Sequence, residues 1–199
     1  DGIQLLQLSG ELDQADSDHS GEALAQDPHV WTDPNNVLIW VDQIASQLSQ
    51  LDPSGQASFV ANAEAYKQQL ADLDAWVRQE VSQIPQPNRL LVSDHLVFGY
   101  FADRYGFQQV GAIIPGFSTL AEPSAQELAE LEDAIQRLNV PALFVSWTGN
   151  QNLAERIAED TGVQIIPLYT HSLSPTGGEA DNYQDFIRFN VNAIVAGLK

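Results

Sequence analysis

The 199-residue sequence predicts an α/β fold: a C-terminal lobe with a four-stranded parallel sheet flanked by helices, preceded by a long strut-like helix. Three observations support it. Short β-branched or aliphatic runs alternate with helical patterns from Asn88 onward, and such alternation implies parallel strands joined by long crossovers. Apolar residues at Phe59, Ala63, Tyr66, Leu70, Leu73, Val77 and Ile84 recur at three-four spacing, which keeps one stripe in line along a helix. Helix starts are also clearly marked along the chain.

In chain order, residues 9–26 are polar and acidic without periodicity and read as a loop. Asp33 is suited to cap a helix with Pro34 at its first position, and the apolar run from Val37 to Leu51 stops before Asp52-Pro53. The striped helix follows over 54–86. The expected strands are RLLVS (89–93), QVGAII (109–114), ALFVS (142–146) and QIIPLY (164–169). Ser124 with Glu127, and Asp181 with Gln184, fit the capping box, in which side chains satisfy free backbone N–H groups at a helix start. The division expected is 1–53, the linking helix 54–86, and the α/β lobe 87–199.

Composition narrows function. With 44% hydrophobic residues and no apolar run near the length of a membrane span, the chain reads as a soluble globular protein. Eight basic residues stand against 27 acidic ones, a formal net charge of -19, which repels phosphate backbones and attracts cations, so nucleic acid is excluded as a partner. The absence of cysteine leaves imidazole and carboxylate to hold any transition metal. The opening DGIQLLQLSG carries no initiator Met, basic region or cleavage site and is expected to be a processed or truncated start.

The four histidines then fall into place. His95 follows the first expected strand and His171 the fourth, which puts both at the carboxyl edge of the sheet, where ligands of open parallel sheets collect. His29 lies before the long helix, between Asp-Pro pairs, so a common ion would require a cleft between two bodies. Each position has a plainer reading as a hydrogen-bonding residue at an element's end, and His19 reads as solvated. Trp31, Trp40, Trp76 and Trp147 read as packing residues, because no basic residues interleave with them. Gly177-Gly178 is a loop turn without the context of a phosphate cradle. Asp94 reads as a helix N-cap before it reads as a partner that fixes the His95 tautomer.

Four co-linear stretches, QDPHVWTDPNN, SDHLVFGYFADRYG, GFSTLAEPSAQEL and LYTHSLSPTGGEADNYQDFIRFNVNAI, resemble the solute-binding proteins of zinc and manganese ABC importers. The resemblance implies two α/β lobes joined by one long helix with the metal between them, and residues 1–53 as the end of the first lobe. It also implies His29, His95 and His171 as metal ligands. His171 stands where that family commonly has Asp in a YTDSL-like segment, and the family's first histidine ligand, in the earlier part of its first lobe, has no counterpart. The resemblance further implies capture of Zn²⁺, with Mn²⁺ second, for an ABC permease at the periplasmic or extracellular face of a bacterial membrane, without catalysis. An incomplete first lobe is expected to leave the stripe from Phe59 to Ile84 uncovered and to favour self-association. The alternative from another class is a zinc hydrolase with a three-histidine site. Its base would have to be Asp94 or Glu122, since no His-Glu-x-x-His occurs.

Overall fold

The computed structural model describes residues 27–117, 121–149 and 151–199. The expected loop 9–26 and His19 lie outside them. The chain divides into two compact units, Asp1–Trp76 and Val77–Lys199. No helix among the described residues is long and apolar enough to cross a membrane.

The first unit opens with a short 3-10 turn, Val30–Thr32, and the helix α1, Pro34–Leu51. Asp33 caps α1 as its sequence predicts: its carboxylate accepts from Asn35 N at 2.8 Å, satisfying a backbone donor that has no partner within the helix. The helix α2, Gln56–Val81, begins in this unit and is shorter at both ends than the expected 54–86. Asn35 Nδ2 donates to Asp74 Oδ1 at 3.0 Å, tying the start of α1 to a late turn of α2. Ala63, Leu70, Leu73, Val77 and Val81 are buried at the predicted spacing, as is Ile84 just beyond the helix. Phe59 and Tyr66 of the same stripe are partly exposed. Among the described residues of this unit, the large exposed apolar side chains are Ile44, Leu48, Leu51 and Val60.

The second unit carries a sheet of order β2-β1-β3-β4, all parallel, from β1 (Leu90–His95), β2 (Gln108–Ile114), β3 (Ala142–Ser146) and β4 (Gln164–Leu168). The connecting helices are α3 (Gly99–Tyr105), α4 (Ala125–Leu138) and α5 (Gln151–Thr161), and α6 (Tyr183–Leu198) ends the chain. Leu143 and Val145 of β3 pack with Leu131 and Ile135 of α4 and Ala154 and Ile157 of α5. Side chains alternate across a strand, so Ala142 and Phe144 face the other way. There α6 approaches so closely that a Cβ on Gly197 would collide with Ile166 of β4. Pro167 is tolerated because β4 is an edge strand.

Two local readings are corrected. The first strand does not stop at Ser93 but runs through His95, which pairs in register with Ile114. The last helix is not capped by an Asp181 and Gln184 box: Asn182 is the N-cap and accepts from Asp185 N at 3.0 Å. Asp181 is taken up by the preceding turn, where Oδ2 accepts from Gly177 N at 2.8 Å. The Ser124 and Glu127 box is present with both bonds.

Candidate metal centre

Strand order 2-1-3-4 means that the chain leaves β1 in one direction, toward β2, and later crosses to β3 on its other side. The carboxyl ends of β1 and β3 thus form the switch point at which open parallel sheets bind ligands. His95 is the last residue of β1 and is fully buried. Asp94 beside it accepts from His95 N at 3.0 Å and engages His95 Nδ1 at 2.9 Å through Oδ1, while Oδ2 accepts from Ser146 N at 3.0 Å. Burial pushes the Asp94 carboxyl up, but hydrogen bonds from His95 and Ser146 outweigh it and hold the group below its ordinary 3.8. The cap reading of Asp94 is corrected by this arrangement. The N-cap of α3 is Phe98, with no side-chain bond.

Beyond β4, the Asn190 side chain grips the backbone of Tyr169, accepting from its N–H at 3.0 Å and donating to its carbonyl at 2.6 Å. This holds the segment that carries Thr170 and His171. The His171 ring is exposed and stacks on His95, with centroids 4.7 Å apart and planes at 20°. Its Nδ1 lies 3.2 Å from Thr170 Oγ1, which lies 2.6 Å from Ser146 Oγ. His95 and His171, placed at one sheet edge by their sequence positions, are thus brought side by side.

His29 in the first unit is built on the same device as His95. It is 1% exposed, and Asp27 Oδ1 accepts from its backbone N–H at 2.9 Å and engages its ring Nδ1 at 2.7 Å. Trp31 meets the ring edge-on at a centroid distance of 5.3 Å. A ring Nδ1–H donated to a carboxylate leaves Nε2 with the lone pair that a metal needs. Histidines so oriented suit a divalent cation such as Zn²⁺.

Asp94 is committed to His95 and Ser146, and Glu122 is exposed ahead of α4. Asp27, Ser146 and Thr170 were not singled out from the sequence. Asp27 had a usable signal in the Asp-x-His spacing, whereas Ser146 and Thr170 meet only through the pairing of β3 with β4.

A family model described as "Zinc-uptake complex component A periplasmic" matches residues 1–197. The manganese-binding lipoprotein MntA of Halalkalibacterium halodurans is 35% identical over 173 residues, which cover 86% of this chain and 57% of that protein. The manganese ABC transporter substrate-binding lipoprotein PsaA of Streptococcus pneumoniae is 27% identical over 199 residues, 100% of this chain and 61% of that protein. The periplasmic zinc-binding protein TroA from Treponema pallidum has a similar structure, with a TM-score of 0.80 at 32% identity over 86% of this chain and 63% of that one. The chain spans about three-fifths of the length of these curated relatives. On the match to nearly its whole length, the chain belongs to the family of periplasmic zinc-uptake complex component A proteins, the solute-binding proteins of metal ABC importers.

Proposed function

We propose that the chain captures Zn²⁺ outside the cytoplasmic membrane for a metal ABC importer, with His29, His95 and His171 as the protein's ligands to the ion. The observation that carries this reading is the shared construction of His29 and His95: each is buried and each has Nδ1 held by an adjacent carboxylate. Buried histidines anchored in this way are preset for a metal on Nε2. His171, stacked on His95, adds a third imidazole. Capture exchanges coordination bonds at the ion and needs no covalent chemistry on a substrate. The ion is cargo, the permease is the partner that receives it, and the protein works at the outer face of the membrane.

Zinc is preferred on donor chemistry. Relatives are named for manganese and for zinc. Imidazole donors suit four-coordinate Zn²⁺, and Mn²⁺ is the weakest-bound ion of the divalent first-row series. Competition against a chelator of known affinity tests both the ligands and the metal. Each change of His29, His95 or His171 to Ala is expected to weaken zinc at least about tenfold, or about 1.4 kcal/mol. His171→Asp is expected to narrow the zinc-over-manganese preference by weakening zinc. Manganese held as tightly as zinc by the unaltered chain overturns the metal assignment, and three neutral alanine changes overturn the ligand set.

A further inference from the structure

His95 and His171 are anchored differently. Nδ1 of His95 meets a buried carboxylate, whereas Nδ1 of His171 lies beside a hydroxyl, in a chain that returns to that same carboxylate. Asp94 Oδ1 engages His95 Nδ1, Asp94 Oδ2 accepts from Ser146 N, Ser146 Oγ lies 2.6 Å from Thr170 Oγ1, and Thr170 Oγ1 lies 3.2 Å from His171 Nδ1. Ser146 and Thr170 are 3% and 4% exposed, whereas the ring that they reach is exposed. We propose that Thr170, backed by Ser146, is a positioning residue for metal capture: its Oγ1 accepts the Nδ1 proton of His171 and so presents Nε2 to the ion. This rests on the reading of His171 as a ligand.

The physical case has two parts. An exposed ring on a loop has freedom about both side-chain torsions, and ordering it opposes binding. Stacking on His95 restricts the ring plane, and the bond to Thr170 restricts rotation within that plane. Thr170 is itself fixed, because Asn190 clamps the adjacent Tyr169 backbone and Ser146 is anchored through its N–H on Asp94. The second part is the tautomer. A carboxylate only accepts, so the carboxylate beside a ring dictates a proton on Nδ1, whereas a hydroxyl either accepts or donates. If Thr170 donated to Nδ1, the ring proton would sit on Nε2 and block it. Passing the Thr170 hydroxyl proton to Ser146 Oγ leaves Thr170 Oγ1 free to accept from the ring, which is the role that Ser146 fills.

The test uses the full chain and Zn²⁺, with affinity read by chelator competition and ring protonation read from imidazole ¹⁵N shifts of the zinc-loaded protein. Thr170→Val removes the hydroxyl at nearly constant shape and is expected to weaken zinc about tenfold, the lower end of the range for partners of ligating histidines. Thr170→Ser restores the hydroxyl and the affinity, and Ser146→Ala gives a smaller loss in the same direction. The His171 shifts are expected to show a protonated Nδ1 and a metal-bound Nε2. In a His171→Ala background, Thr170→Val is expected to add nothing. If His171→Ala weakens zinc but Thr170→Val does not, the relay is overturned and the ligand reading stands. If His171→Ala is neutral, the ligand reading fails and the relay with it. Equal losses from Thr170→Val in both backgrounds, or a metal on Nδ1 of His171, also overturn the relay.

Discussion

At the scale of residues, one device appears at two unrelated places in the chain: a carboxylate oxygen that takes both the backbone N–H and the ring Nδ1 of a histidine. Asp27 does this for His29 at a separation of two, and Asp94 does it for His95 at a separation of one. The sequence placed the histidines but not this partnership at Asp94, because an acidic residue ahead of an expected helix reads equally well as a cap. Asp94→Asn tests the role. Its single carbonyl oxygen can still accept from His95, but its NH₂ then faces the Ser146 N–H, donor against donor. Zinc affinity is expected to fall about 10-fold to 100-fold, read by chelator competition. The same variant carries a pH signature in the metal-free protein. Asp94 sits below its ordinary 3.8 when folded, so its contribution to stability is present above that value and is lost as pH falls through the lower folded value. Urea unfolding across that acid range is expected to show a larger loss of stability in the unaltered chain than in Asp94→Asn.

At the scale of elements, helices and strands were readable where the local signal had no competitor. Asp33 with Pro34 and Ser124 with Glu127 start helices as predicted. Asp181 does not, because it has two available uses and the turn through Gly177 takes it, which leaves Asn182 to cap α6. Strand β1 runs past its apolar residues into Asp94 and His95 because the ladder with β2 continues there, a tertiary effect that no local pattern reports. The turn after β3 carries a further constraint. A Cβ on Gly149 would lie 2.7 Å from Asp94 Oδ2 and 3.1 Å from Ser146 O, so Gly149→Ala is expected to displace the carboxylate that anchors His95. Its zinc affinity should drop in the direction of Asp94→Asn. Gly106 supplies the contrast: it ends α3 at φ +71°, and an added Cβ there meets only Arg89 Nη1, at 3.7 Å. Gly106→Ala is expected to cost about 1 kcal/mol of stability through backbone strain alone, read by thermal melting, with zinc affinity unchanged.

For the whole molecule, the proposed capture makes the net charge of -19 the property that governs how an ion arrives, and the proposed histidine ligands the property that governs how it leaves. Lys67 is the one basic residue among the first 76 positions, and its charge is already matched by Asp42 at 2.7 Å and Glu64 at 2.9 Å. The surrounding field therefore draws cations, and salt weakens it as the screening length shrinks from about 30 Å at 0.01 M to about 8 Å at 0.15 M. In stopped-flow mixing, the zinc association rate should fall across that range while the dissociation rate holds. Release follows the ligand chemistry. Imidazole binds a metal only when neutral, and its unperturbed pKa is about 6.5, whereas carboxylates stay ionised down to about 4. The proposed ligand set of three imidazoles would therefore take up more than one proton as the metal leaves. On the proposed ligand set, zinc retention is expected to fall steeply between about pH 6.5 and 5, with a slope above one proton per ion, and His171→Asp should flatten that slope by replacing one imidazole with a carboxylate. Equilibrium dialysis across the pH series reads both. Retention that stays level to about pH 4 would assign the ion to carboxylates.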